Sequence, residues 1–124
     1  MAQTVFVIRA TRFQASVFDQ AKNKWTDWNA WIDTDILITL DGDNDLVKIA
    51  NMSKDSFKLL DVRGRDSGTD SDGDSWNATK YRSVDKEGKS LELTLQIFDR
   101  GLYIITIRYS DSAWRYAGKR ISFE

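Results

Sequence analysis

The 124-residue sequence lacks cysteine, histidine and proline altogether. Without cysteine, the chain has no disulfide, no thiol nucleophile and no thiolate zinc site. Without histidine, it has neither the usual general base nor the commonest ligand of transition metals. A Ser-His-Asp or Cys-His mechanism is therefore excluded, and catalysis would have to use carboxylates, Lys, Arg, Tyr or Ser.

The sequence also lacks an excess of charge and long apolar segments. Lys and Arg number 18 against 19 for Asp and Glu, so the net charge gives no electrostatic reason to bind nucleic acid or an anionic membrane. No apolar segment approaches the ~20 residues that a membrane-spanning helix needs. Residues 1–13 do not have the pattern of a signal peptide, so we expect a protein made in the cytoplasm.

Short segments of alternating apolar and polar residues, separated by turn residues, dominate the sequence. In residues 91–97, for example, leucine or isoleucine occupies every odd position and a polar residue every even one. Successive segments of this kind predict one all-β domain over residues 1–124, an antiparallel meander of about eight strands in a barrel or a sandwich. Because no proline protects exposed sheet edges, the sequence favours closure into a barrel, or sheet edges that a partner covers.

Several local features follow from the same pattern. Residues 4–17 are predicted as a strand, although the apolar spacing from residue 13 to 21 is also compatible with a short helix. Residues 35–51 predict a hairpin with a polar turn whose Gly42 and Asn44 tolerate positive φ, and Gly88 is predicted to be left-handed in a later turn. A strand over residues 57–62 is expected to place three side chains on one face: Phe57, Leu59 and Asp61.

Residues 66–76, DSGTDSDGDSW, are the most acidic stretch of the chain. The carboxylate spacing matches the first three ligand positions of an EF-hand calcium loop, at Asp70, Asp72 and Asp74. Ser75 and Tyr81, however, replace the glycine and glutamate that complete such a loop, and residues 41–52 fail in the same way. We therefore predict a turn with aspartates bonded to nearby backbone N–H groups and with Gly73 in an unusual conformation. Weak calcium binding by those three aspartates is the alternative, and no other cofactor is expected.

Three of the five tryptophans are spaced three residues apart, at Trp25, Trp28 and Trp31. One interpretation is that at least two of them pack into the core or close one end of the barrel. The other is an exposed aromatic platform that contacts a sugar, a base or a protein partner. Trp76 and Trp114 are predicted to be core residues on strands.

Two carboxylate pairs, Asp33 with Asp35 and Glu92 with Asp99, are the candidates for a glycosidase-type mechanism. Carboxylates are so frequent on this chain that such pairs arise by chance. We therefore predict no catalytic residues, and a carboxylate-dependent hydrolase is the weakest of three functional hypotheses.

The order of several short motifs carries a resemblance over residues 23–117. A W-x-x-W segment at Trp25 and Trp28 precedes the acidic hairpin and the aspartate-glycine loop, and a VD-x-x-G turn at Val84 and a closing aromatic segment around Trp114 follow them. In this order the chain resembles short uncharacterised proteins of gut Bacteroidetes and their phages, including the crAss-like phages. The resemblance implies a source and a scaffold, and no catalytic residues.

Together these observations lead to two binding hypotheses. The first is a non-enzymatic structural or accessory protein of a phage or mobile element, with a place in the virion as one form of this role. It would act through contacts with a protein partner or as a homo-oligomer. The alternative is a small barrel that binds an apolar or aromatic ligand in its interior, with tryptophans as walls.

Overall fold

A computed structural model describes residues 5–50 and 55–121, and this part of the chain forms nine β-strands and the turns between them. The strands are β1 (Val5–Asp19), β2 (Lys24–Trp25), β3 (Ile32–Asp41), β4 (Leu46–Ala50), β5 (Asp55–Thr69), β6 (Ser75–Asp85), β7 (Ser90–Phe98), β8 (Leu102–Arg108) and β9 (Ser112–Ile121). In the described ranges no helix is long and apolar enough to cross a membrane.

The strands form one antiparallel sheet that closes on itself. Its order runs from β1 through β3 to β9 in sequence, and β9 also pairs with β1. Ile8 of β1 lies opposite Ile38 of β3 on one side and Arg120 of β9 on the other. Eight strands therefore form a closed meander barrel, while the short β2 pairs only with the end of β1. This confirms the predicted all-β class and decides for the barrel over the sandwich.

The alternating pattern explains why these strands form a barrel wall. On β7, Leu91 and Leu93 are buried inside, whereas Glu92 between them and Thr94 after them are partly exposed. The inward side chains of the strands pack into one core. This core consists of Ile8, Ala10, Ile38, Leu40, Val47, Ile49, Phe57, Leu91, Leu93, Ile105, Ile107 and Tyr116. Trp114 packs against it as predicted.

A β-bulge and a glycine shape the seam where β1 meets β9. The pairing register shifts between Ala10 and Arg12, so inward and outward positions exchange along β1. At the same level, a methyl group on Gly118 would collide with the carbonyl oxygen of Arg9 and lie 2.7 Å from the Cα atom of Ala10. The two backbones approach so closely here that only glycine fits.

Bulges also correct the prediction for β5. The strand continues to Thr69, and its register shifts between Leu59 and Asp61. Asp61 is therefore not on the face of Leu59: it lies on the outer face, where its carboxylate pairs with Arg82 at 2.8 Å. The predicted shared face was wrong because an alternating pattern does not reveal an inserted residue.

Two further local predictions need correction. In the turn between β3 and β4 the residue with positive φ is Asp45, at 53°, and not Gly42 or Asn44. Gly88 does have positive φ, at 84°, as predicted. Trp76 lies outside the core cluster, because its indole packs across the neighbouring strand on Gly68, where a Cβ atom would lie 2.7 Å from the ring.

Candidate functional site

The acidic stretch forms the turn between β5 and β6. One carboxylate oxygen of Asp70 accepts hydrogen bonds from the backbone N–H groups of Asp72 and Asp74, both at 2.9 Å. The N–H of Gly73, which has a φ of 83°, donates to the carbonyl oxygen of Asp70 at 3.0 Å. The Asp70 side chain therefore stabilises its own turn, as expected for aspartate in such loops.

Arg100 supplies the positive charge beside this turn. Its guanidinium lies 3.7 Å from Asp70 Oδ2 and 3.4 Å from Asp74 Oδ2. Two of the three candidate calcium ligands are thus close together and face a cation, while the third, Asp72, is exposed. Within residues 5–50 and 55–121, no group of three or more acidic side chains could hold a metal ion.

Of the two carboxylate pairs considered for catalysis, one has a member in an ion pair and the other has members far apart along the chain. Asp35 is bound by both ends of the Arg9 guanidinium, at 2.8 and 2.9 Å. Glu92 and Asp99 lie seven residues apart along an extended strand and the turn after it, which places them roughly 23 Å apart. Glycosidases need their two carboxyl groups within about 10 Å of each other.

The three closely spaced tryptophans lie on the outer wall of the barrel and not in its interior. None of them belongs to the core cluster, and each is partly exposed. They follow the outer faces of β1, β8 and β9, where Gln14, Ser16 and Ala113 are nevertheless buried. The expectation that two tryptophans pack into the core or close the barrel was wrong, since the segment that carries them folds back along β1.

Hydrogen bonds attach this segment to β1. The N–H of Asn29 donates to the carbonyl oxygen of Ala15, and the N–H of Ala15 donates to Asn29 Oδ1 at 3.1 Å. Thr26 makes the corresponding pair of bonds with Val17, through its N–H and its hydroxyl. Residues 26–29 therefore continue the sheet irregularly beyond β2, which fixes the tryptophans in place.

Arginine side chains lie against all three indoles. The guanidinium of Arg115 is 4.3 Å from the ring centroid of Trp28 and 5.3 Å from that of Trp31. Arg108 lies 5.0 Å from the ring of Trp25, and Arg12 lies 5.6 Å from that of Trp31. We call this surface the tryptophan–arginine face, defined by Arg12, Trp25, Trp28, Trp31, Arg108 and Arg115.

Arg115 is the most constrained of these cations. It is partly buried, and its Nε donates to Gln14 Oε1 at 2.8 Å. The side-chain amide nitrogen of Gln14 in turn donates to the carbonyl oxygen of Asn29. Burial, and secondarily the like charge of Arg108, lower the pKa of Arg115. The arginines were not singled out from the sequence. The only sequence signal for them is their position on outward faces of strands.

A separate recess opens at the end of the barrel that carries the β3–β4 turn. Its volume is about 230 Å³. Most of its wall is apolar, and the lining residues are Leu40, Asp41, Gly42, Leu46, Val47, Leu59, Tyr81, Leu93 and Leu95. We call it the mouth recess. The sequence predicted several of these residues as inward-facing strand positions. It did not predict the space between them, because that space depends on how the strands of the barrel come together.

Few polar groups line or adjoin the mouth recess. The hydroxyl of Tyr81 makes no hydrogen bond with any part of the chain that the structure describes. Ser83, the next inward residue on β6, is fully buried, and its hydroxyl likewise has no partner in the described residues. At the rim, the side-chain amide of Asn44 donates to the Asp41 carboxylate at 2.9 Å. This hydrogen bond is the main reason why the pKa of Asp41 is lowered.

No family model, curated protein or solved structure matches this chain. The resemblance to proteins of gut Bacteroidetes and their phages therefore stays a prediction. The function has to be argued from the geometry of the barrel and its two surfaces.

Proposed function

We propose that this protein is a binding protein whose site is the mouth recess and whose ligand is a small apolar or aromatic molecule. The observation that supports the proposal is an apolar recess in a barrel whose middle is otherwise filled by side chains. Eight-stranded barrels have interiors that are either filled by side chains or able to hold one small ligand. In this barrel, side chains fill the middle, and the recess lies at the end that carries the β3–β4 turn.

The size of the recess limits the ligand. A cavity of about 150 Å³ holds benzene, so a volume of about 230 Å³ fits a molecule of roughly nine or ten non-hydrogen atoms. Val62 and Ile97 extend the apolar surface: Val62 lies opposite Tyr81, Ile97 is two residues beyond Leu95, and both side chains are more than a third exposed. A longer apolar chain would follow this edge.

The polar groups indicate one hydrogen-bonding function on the ligand. Binding sites combine apolar walls with a few polar groups that fix orientation. The hydroxyl of Tyr81, a residue of the recess wall, bonds no described residue and is able to donate to or accept from such a group. The hydroxyl of Ser83 lies deeper, and a buried hydroxyl without a partner costs about 1–3 kcal/mol, which a ligand that reaches it would offset.

Calorimetric titration with indole tests this proposal. Indole has the predicted size and carries one N–H donor, and we expect a dissociation constant of roughly 0.1–1 mM for so small a ligand. Leu95→Phe should fill the recess and abolish binding. Leu37→Phe is the matched control, because Leu37 lies on the outer face of β3 and is 43% exposed. Equal binding by both variants, or no binding by the unmodified protein, would contradict the proposal.

A second candidate function, contact with a protein partner, is favoured by one observation on β5. Beyond Lys58 the strand pairs with β6 alone among the described strands, and Leu60 and Val62 there are each 45% exposed. An open strand edge can accept a strand of another chain. The bulges in β5 limit such pairing, so this function comes second. The phage or mobile-element origin that the resemblance implies, and the place in the virion predicted with it, belong to this hypothesis.

The oligomeric state at increasing protein concentration tests the version with a second copy of the chain. Sedimentation should show association that Leu60→Asp abolishes. Val17→Asp, at a position 52% exposed near the end of β1, is the control and should leave association unchanged. A monomer at every concentration would contradict the homo-oligomer.

A further inference from the structure

The tryptophan–arginine face holds three positive charges that form no ion pair with any residue the structure describes. Among the described residues, no carboxylate lies within ion-pair distance of Arg12, Arg108 or Arg115. Their ladder neighbours Asp33 and Glu92 do not pair with them, although they are directly opposite Arg12 and Arg108. Exposed arginines elsewhere on the barrel, such as Arg9 and Arg82, do have carboxylate partners.

Arg108 and Arg115 are near neighbours on the outer wall. Arg108 lies opposite Ala113 and Arg115 lies opposite Thr106, so the two side chains are diagonal neighbours on one face of β8 and β9. Diagonal neighbours in an antiparallel pair are about 7–8 Å apart, and like charges at such positions repel. The lowered pKa of Arg115 reflects burial and this repulsion. The indole faces compensate in part, since a cation over an aromatic ring gains roughly 0.5–2 kcal/mol.

Most hydrogen-bond donors of these arginines have no partner among residues 5–50 and 55–121. A guanidinium carries five N–H donors in a planar fork that matches the oxygens of a phosphate or carboxylate. Arg115 uses one donor, Nε, to bond Gln14. The guanidinium of Arg115 stacks on Trp28, and hydrogen bonds attach residues 26–29 to β1. These contacts hold the guanidinium in place before any ligand arrives, which lowers the entropic cost of binding.

We propose that the tryptophan–arginine face binds the phosphate group of a small phosphate monoester between Arg108 and Arg115, at a site independent of the mouth recess. Two adjacent cations match a phosphate monoester, which carries a charge of about −1.5 to −2 at pH 7, better than a single carboxylate. Bidentate guanidinium–phosphate bonds are among the stronger hydrogen bonds in proteins. The partly exposed indoles add a surface on which an aromatic part of the ester can stack.

Titration with phenyl phosphate, followed through the indole N–H signals in NMR spectra, tests the site. We expect saturable shifts of the Trp25 and Trp28 signals at millimolar concentration, and weaker binding at pH 5 than at pH 7, because the second phosphate pKa is about 6. Phenol, which keeps the ring and lacks the charge, should not produce these shifts. Inorganic phosphate should bind several-fold more weakly than phenyl phosphate.

Arg108→Gln is the decisive variant, because Arg108 is exposed and we expect its replacement to leave the fold intact. It should weaken phenyl phosphate binding at least fivefold, whereas Arg82→Gln, which removes a cation that already pairs with Asp61, should not change it. Arg115→Lys keeps the charge, loses the fork and should also weaken binding. The absence of saturation at tens of millimolar, or an equal loss in Arg82→Gln, would overturn the proposal.

Discussion

Replacement of Gly118 by alanine tests the seam at which β9 closes the barrel on β1. A methyl group there would collide with the carbonyl oxygen of Arg9 and come within 2.7 Å of the Cα atom of Ala10. Both obstacles are backbone atoms, so no side-chain rotation can relieve the contact. The two strands would have to separate locally and weaken the hydrogen bonds on either side of the bulge.

The expected loss follows from two costs. Overpacking costs about 1–3 kcal/mol, and the loss of one or two hydrogen bonds adds about 1 kcal/mol each. We therefore expect Gly118→Ala to lower the free energy of unfolding by roughly 2–5 kcal/mol. For a chain of 124 residues the total is about 6–18 kcal/mol, so the loss is a large fraction of it.

Urea denaturation followed by circular dichroism measures this loss. Gly64→Ala is the matched control: Gly64 also lies in a strand, and nothing within 4 Å would meet its added Cβ atom. The control should lie within about 1 kcal/mol of the unmodified protein, since alanine also restricts the unfolded chain. If Gly118→Ala were as stable as Gly64→Ala, the close approach of β1 and β9 would be refuted.

The remaining predictions concern two aspartates in turns. Asp70→Ala removes the acceptor of two backbone N–H groups and should cost about 1–2 kcal/mol in urea denaturation, whereas Asp72→Ala should be neutral. A rise in the melting temperature with millimolar calcium that Asp70→Ala abolishes would contradict a purely structural turn. Asp85 has a lowered pKa, chiefly because the backbone N–H of Lys89 donates to it. Its contribution to stability is therefore complete above the unfolded pKa of about 3.9 and lost as pH falls through the lower folded value. The stability difference between the unmodified protein and Asp85→Asn should shrink below about pH 4 in pH-dependent denaturation, and a difference unchanged down to pH 2 would contradict this.

The sequence predicted those parts of the fold that depend on neighbouring residues. The strict alternation of Leu91, Leu93 and Leu95 predicted a wall with one buried face, and the polar residues after Asp41 predicted a hairpin. The all-β meander follows from such local signals. The turn chemistry of Asp70 was also predictable, because a short acidic side chain bonds nearby backbone wherever the chain reverses.

Other features depend on contacts between distant segments. The pairing of β1 with β9 joins residues about a hundred positions apart, and the bulge after Leu59 moves Asp61 outside without any local signal. The spacing of three between tryptophans does not reveal whether their segment enters the barrel or lies along β1. Both candidate sites arise from closure, since the mouth recess and the tryptophan–arginine face combine residues from at least three strands.

We propose the mouth recess as the binding site of this protein. Indole titrated into the ¹⁵N-labelled protein tests this most directly, because the shifted amide signals locate the ligand. We expect saturable shifts concentrated at Leu40, Leu93 and Leu95, with little change at Trp28. Shifts confined to the outer wall, or none up to the solubility limit of indole, would contradict it.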